Sequence, residues 1–165
     1  MRILIVSDTH RKLDNLEKVI EQVRPDKIFH LGDAEGDEDL IEAIAGCPLE
    51  IVSGNCDFYT NLPPELLLRV GNHVALLTHG HYYHVNYGLE GLVDAAAARG
   101  ADVVMYGHTH CPEIEEVDGI TIVNPGSISN PRQNGRRPSF IVLDVDKDGE
   151  LHFSLNYIKN KFLDH

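Results

Sequence analysis

Ile3-Leu4-Ile5-Val6 is an unbroken apolar run, the pattern of a strand covered on both faces. It gives way at once to the polar stretch Ser7-Asp8-Thr9-His10. Apolar residues then recur at Leu13, Leu16, Val19, Ile20 and Val23, the stripe of an amphipathic helix that stops near Pro25. Lys27-Ile28-Phe29-His30-Leu31 predicts a second strand ending in Gly32-Asp33. Leu49 to Val52 predicts a third, ending in Ser53-Gly54-Asn55-Cys56-Asp57. Between these two strands Leu40, Ile41 and Ile44 mark a short helix, with Asp37 or Asp39 as its cap and Gly46 as its close. Strand and helix alternating in this way imply right-handed crossovers and a parallel start to the sheet.

The pattern changes after Pro63-Pro64. Leu66 to Val70, the turn Gly71-Asn72 and Val74 to Leu77 read as a β-hairpin whose second arm ends in Thr78-His79-Gly80-His81. An Ala-rich helix is predicted from about Leu89 to Arg99, stopped by Gly100. Asp102-Val103-Val104-Met105 then leads, as a buried strand, into Tyr106-Gly107-His108-Thr109-His110. The rest is β-rich: Glu113 to Val117, the turn Asp118-Gly119 and Ile120 to Val123, followed by Phe140 to Val145, the turn Asp146-Lys147-Asp148-Gly149 and Leu151 to Ile158. Residues 125–138 carry Gly, Pro, Asn, Ser and three arginines and form the longest loop. No repeat, low-complexity tract or linker interrupts the order.

Composition narrows the class. With 165 residues, 42% of them hydrophobic, the chain suits a single domain over residues 1–165 that needs no staples. A net charge of −12 argues against general nucleic-acid binding and against an anionic membrane surface. It leaves room for an anionic substrate, because a bound cation dominates its local field. Cys47, Cys56 and Cys111 are widely spaced and read as reduced thiols of a cytoplasmic protein. Met1 runs straight into a strand, leaving no room for a signal peptide. No apolar run approaches the ~18 residues of a membrane span.

Polar residues of one kind gather where strands end: Asp8-x-His10, Gly32-Asp33, Gly54-Asn55, His79-Gly80-His81 and Gly107-His108-Thr109-His110. Open α/β sheets bind ligands beyond the carboxyl ends of their strands. On an extended backbone, side chains at i and i+2 share a side, so His108 and His110 are expected to aim at one small volume. Neutral imidazole is the commonest metal ligand, a carboxylate can bridge two cations, and an amide oxygen suits a hard ion. These donors exceed what one tetrahedral zinc takes, so two ions are expected. A pair ~3.5–4 Å apart clamps the attacking and leaving oxygens of a phosphoryl transfer.

This ordered set resembles the calcineurin-like metallophosphoesterases. Its short length and Gly-Asn-Cys-Asp variant are most similar to their small YfcE-type prokaryotic phosphodiesterases. The resemblance runs from Arg2 to about Pro125-Gly126-Ser127. It implies a four-layer α/β/β/α sandwich of two mixed sheets flanked by helices. It also implies one ion held by Asp8, His10 and His110, a second held by Asn55, His79 and His108, and Asp33 bridging both. The activity implied is phosphoester hydrolysis, foremost of phosphodiesters, by in-line attack of a metal-bound hydroxide on a small phosphate ester. Asp33, Asn55, His108 and Cys56 are the residues assigned to the catalytic step. Mn²⁺ is the ion expected to support activity, with Ni, Zn, Fe or Mg as the others that fit. The substrate and the oligomeric state, a homo-oligomer included, are left open.

Cys56 is a departure. Many members place His after the Gly-Asn pair, where it protonates the leaving oxygen. A thiol is a weak donor with an ordinary pKa of about 8.5, a poor substitute as general acid, and a small gap-filling residue is the equal alternative. Among the other residues, His30 is expected to pack behind the site, and His81 either to contact phosphate or to support the site. Tyr82, Tyr83, His84 and Tyr87 are expected to be exposed near its entrance, and His73, His152 and His165 on the surface. Arg11 stands where it could meet a phosphate, while Arg132, Arg136 and Arg137 give the long loop a basic edge; Cys47 and Cys111 are expected to be inert.

The rival class is a non-catalytic interaction module, since the scaffold subunit of retromer shares this fold and also lacks the leaving-group histidine. A scaffold has no physical need for seven competent metal donors, which favours an enzyme. A metallo-β-lactamase-like hydrolase would want an H-x-H-x-D-H cluster, which is absent.

Overall fold

The structure, a computed structural model, describes residues 1–159. Two five-stranded mixed sheets lie face to face with three helices outside them. The first sheet has the order β10 (Leu151–Tyr157), β9 (Ser139–Val145), β1 (Arg2–Val6), β2 (Lys27–His30), β3 (Leu49–Ile51). The second runs β4 (Glu65–Val70), β5 (His73–Thr78), β6 (Val103–Met105), β8 (Ile120–Asn124), β7 (Glu113–Val117). Helices α1 (Asp14–Val23) and α2 (Glu38–Ala45) cover the first sheet and α3 (Glu90–Ala98) the second. This is the expected four-layer sandwich.

Period-two alternation explains the layers. On β1, Ile3 and Ile5 face the space between the sheets, where they meet Phe29, Leu77, Met105 and Val123. Leu4 and Val6 face the other way, onto Leu16, Val19 and Ile41 of the helices. Ala75 and Leu77 of β5 likewise point inward while Leu76 packs under Leu92 and Ala96 of α3. Each strand buried on both faces thus reads as a continuous apolar run. Burying each such Leu, Ile or Phe contributes roughly 1.5–3 kcal/mol. Gly46 closes α2 at φ 63°, as expected, whereas Asp37 stands at the cap position without a side-chain capping bond. No helix among the described residues is long and apolar enough to cross a membrane.

The end of the molecule carrying the β4–β5 turn is pinned between the sheets. The Asn72 backbone N–H donates to the Gly149 carbonyl at 2.9 Å, so the β4–β5 turn docks on the β9–β10 turn. Beside it His73, expected on the surface, is half-buried, with Nδ1 2.6 Å from Asp102 and Nε2 3.2 Å from Glu150. Both ring nitrogens face carboxylates, and only imidazolium can donate from both. The pair, Asp102 foremost, raises the His73 pKa above its ordinary value. A raised folded-state pKa gives stability that is complete below the unfolded value and is lost as pH rises through the folded one. His73→Gln is therefore expected to lower Tm at pH 6, and the gap from wild type to narrow as pH climbs past the histidine range. A gap constant from pH 6 to 9 would show that charge is not what holds this contact. His152, by contrast, is exposed beside Asp146 at 2.8 Å, and His165 lies outside the described residues.

Candidate metal centre

The loops after β1, β2, β3, β5 and β6 converge, and they do so through strained backbone. Asp8, His10, Asp33, His108 and His110 all have positive φ, between 47° and 71°. Non-glycine residues rarely adopt that region, and such strain persists only where the surroundings over-determine it. The strain overturns one sequence expectation. His108 and His110 do not alternate along an extended strand; left-handed turns send their rings to different places. The His110 ring lies 5.1 Å from that of His10, and the His108 ring 5.1 Å from that of His79. Close approach also explains two glycines: a β-carbon at Gly54 would sit 2.2 Å from Asp33 Oδ1, and one at Gly107 2.1 Å from Ser7 Oγ.

Two donor sets result, with Asp33 between them. In the first, Asp8 Oδ1 faces His110 Nε2 at 3.1 Å and His10 Nε2 at 3.6 Å. In the second, Asn55 Oδ1 lies 3.0 Å from His79 Nε2 and 3.1 Å from His108 Nδ1. Asp33 Oδ2 stands 3.2 Å from His79 Nε2 and 3.7 Å from His10 Nε2, within reach of both sets. All seven residues expected as ligands are thus brought together.

The outer hydrogen bonds fix which ring atoms look inward. His79 Nδ1 lies 2.7 Å from the Leu31 carbonyl, His110 Nδ1 2.5 Å from the Asn130 carbonyl, and His10 Nδ1 3.0 Å from Glu35 Oε2. Each Nδ1 faces an acceptor, so it carries the proton and leaves an Nε2 lone pair pointing into the cluster. His10 Nε2 and His110 Nε2 are then 3.2 Å apart, two acceptors face to face. Asp8 Oδ2 is satisfied by Ser7 Oγ–H at 2.6 Å and the His108 N–H at 3.1 Å. Its Oδ1 is buried and has no hydrogen-bond partner. A buried set of acceptors needs protons or a cation.

Titration behaviour follows from that deficit. Asp8, with Glu35 helping, raises His10 to about 9 against the opposing effect of burial. Burial opposes protonation of His79 too, but Asp33 and Asp8 together raise it. Burial, the largest influence on Asp8, pushes its carboxyl up; the imidazoles around it outweigh this and hold it well below the carboxylate range. Without a cation the cluster recruits protons. The residues present fit a divalent metal, and their nitrogen, carboxylate and amide donors suit Mn, Fe, Ni or Zn.

Sequence reasoning missed the supports. Asp57 accepts from the backbone N–H groups of Asp33 (2.8 Å), Glu35 (2.6 Å) and Gly54 (2.7 Å), locking two ligand loops together. Ser127 Oγ–H donates to the Asp8 carbonyl at 2.8 Å, and Asn124 Nδ2 to the Gly107 carbonyl at 3.1 Å. His30 is buried behind the site, as expected. Its Nδ1 accepts from the Gly32 N–H at 3.1 Å, and burial pushes it down to about 4, so it is neutral.

The remaining expectations divide. The His81 ring lies 5.4 Å from His79 and 6.1 Å from His108, which makes it a neighbour of the second set. Tyr82, His84 and Tyr87 are exposed, but Tyr83 is half-buried with its hydroxyl on Glu65, a bond that draws it inward. Arg11, Arg132 and Arg136 are exposed. Arg137 stacks over Tyr157 at 5.6 Å, and Cys47 packs beneath the first sheet's helices. Cys56 sits beside the centre. Burial, with the fields of Asp33 and Glu35, pushes its thiol up to about 11, far from the value a general acid wants at neutral pH.

Two stacked mixed sheets thus carry, at shared strand ends, a carboxylate–imidazole cluster suited to divalent metal. The profile of the calcineurin-like phosphoesterase superfamily domain matches residues 1–148, and the chain belongs to that family. Among relatives, it is 35% identical over 150 residues to the "probable metallophosphoesterase YsnB" of Bacillus subtilis, covering 90% of this chain and 86% of that one. To the phosphodiesterase YfcE of Escherichia coli it is 31% identical over 172 residues, covering 88% and 89%. A crystal structure of a predicted phosphoesterase from Streptococcus pneumoniae superposes with a TM-score of 0.77 at 27% identity, covering 95% and 97%. A single mutant of the Vps29 of Entamoeba histolytica shares the fold, with a TM-score of 0.76 at 23% identity over 96% and 100%.

Proposed function

We propose that this protein hydrolyses phosphodiesters at a dinuclear metal centre, acting on a small phosphate ester in the cytoplasm. One ion is assigned to Asp8, His10 and His110, the other to Asn55, His79 and His108, with Asp33 shared. The observation that carries the reading is Asp33 Oδ2 within 3.2 Å of His79 and 3.7 Å of His10, one carboxylate oxygen facing both donor sets. When bound, divalent ions polarise the phosphoryl oxygens and neutralise the charge that develops on them. The chain's own part is to hold the geometry. Nδ1 bonds orient three rings, Asp57 ties the β2 and β3 loops, and left-handed turns aim the ligands without further rearrangement.

Mn²⁺ is the ion proposed to support turnover. A scaffold on this fold would leave a buried cluster of acceptors without a task, which favours the enzyme. The test is a chelator-stripped protein assayed against a bis-aryl phosphodiester. Hydrolysis is expected to vanish and to return with Mn²⁺, with two ions per chain by elemental analysis. Full activity in rigorously metal-free protein would overturn the proposal.

A further inference from the structure

We propose that the Cys56 thiol is an additional ligand to the ion position that His10 and Asp33 face, and biases that position toward soft ions. This rests on the dinuclear reading above and extends it. A donor atom each of His10, Asp33 and Cys56 all lie within 4.8 Å of one another. The same holds for Asp8, His10 and His110, and for Asp8, Asp33 and His79. Cys56 therefore shares two partners with the centre: His10, which belongs to the first ion, and Asp33, which spans both.

A second observation calls for a cation beside His10. Asp8 Oδ1 is buried without a hydrogen-bond partner, 3.1 Å from His110 Nε2 and 3.6 Å from His10 Nε2. The position of Cys56 is not accidental either. Its backbone N–H donates to Asp33 Oδ1 at 2.8 Å, which ties its main chain to the shared carboxylate. Its sulfur accepts one long hydrogen bond, from Asn55 Nδ2 at 3.6 Å, weak enough for a metal ion to displace.

The chemistry balances simply. The S–H bond breaks, a sulfur–metal bond forms, and the proton leaves to bulk water. Burial disfavours the bare thiolate, but a neighbouring divalent ion reverses that preference and a coordinating thiol is deprotonated outright. Thiolate is a soft ligand, selecting Zn²⁺, Co²⁺ or Fe²⁺ over Mg²⁺ or Mn²⁺. The second position, with an amide oxygen and two imidazoles, lacks it. The two positions then differ in taste, and a mixed pair of ions is the expected resting state.

Cobalt provides a readout independent of activity. Metal-free wild type, Cys56→Ser and Cys111→Ser are loaded with Co²⁺, with bound metal counted in each. A sulfur-to-cobalt charge-transfer band in the near ultraviolet is expected in wild type and Cys111→Ser and absent from Cys56→Ser. The serine variant should also lose at least the ~10–100-fold in Zn²⁺ affinity that losing an outer partner costs. Two bound Co²⁺ ions without the band would overturn the thiolate ligand and leave the dinuclear reading standing. No bound Co²⁺ would overturn both. A band persisting in Cys56→Ser would assign the sulfur elsewhere and sink the proposal. Should that variant misfold, alkylation of wild type decides: bound Zn²⁺ should shield Cys56 relative to Cys47, and equal reaction rates with and without Zn²⁺ would refute it.

Discussion

Asp33→Ala is expected to bind fewer ions and to lose about three orders of magnitude in turnover. The reason is the position of its carboxylate. One oxygen faces His79 and His10 and the other accepts the Cys56 N–H, so the residue serves both donor sets and a loop at once. Lewis-acid stabilisation is worth several kcal/mol, and about 1.36 kcal/mol is a tenfold change in rate. Removing the side chain also strands the Cys56 N–H, a further cost of roughly 1–3 kcal/mol in stability if that donor stays buried. Elemental analysis and kcat/KM for an aryl phosphodiester, measured on the same preparation, check the claim. Two tightly bound ions per chain in the variant would show that Asp33 is not shared.

The second large effect belongs to a residue that binds no ion. Asp57→Ala is expected to weaken metal binding by ~10–100-fold, the usual cost of losing an outer partner. Three backbone N–H groups, from Asp33, Glu35 and Gly54, lose their acceptor together. Glu35 in turn holds His10, so slack at Asp57 reaches both halves of the centre. Asp57→Asn should fall between the two, because an amide offers one acceptor oxygen where the carboxylate uses two. Calorimetric titration with Mn²⁺ and thermal melts separate affinity from stability. An alanine variant with unchanged affinity would mean that the strained turns hold themselves.

Much of the fold was legible because each layer imposes its own period on the chain. Ile3 to Val6 is apolar without a break since both its faces are covered, and the Leu13–Val23 stripe matches α1 nearly to its ends. The seven donors were legible too, as polar residues beside glycines at strand ends. Strand order was not. Nothing local in Ser139–Val145 announces that it pairs antiparallel with Arg2–Ile5, because that pairing depends on closure over most of the chain. The left-handed turns at Asp8, His10, Asp33, His108 and His110 were equally hidden, since neither Asp nor His requires positive φ. Asp57 and His73 escaped for a shared reason. A carboxylate collecting three backbone donors looks, in sequence, like any acidic loop residue, and so does an imidazole between two acids.

The position of β1 within its sheet bears on how the centre holds together. Asp8 follows β1 directly, yet its partner His110 lies more than a hundred residues further along, and His110 is fastened in turn to Asn130. β1 itself takes its second neighbour from the distant β9. The donor sets are thus assembled by long-range contacts, and loss of the fold disperses them together.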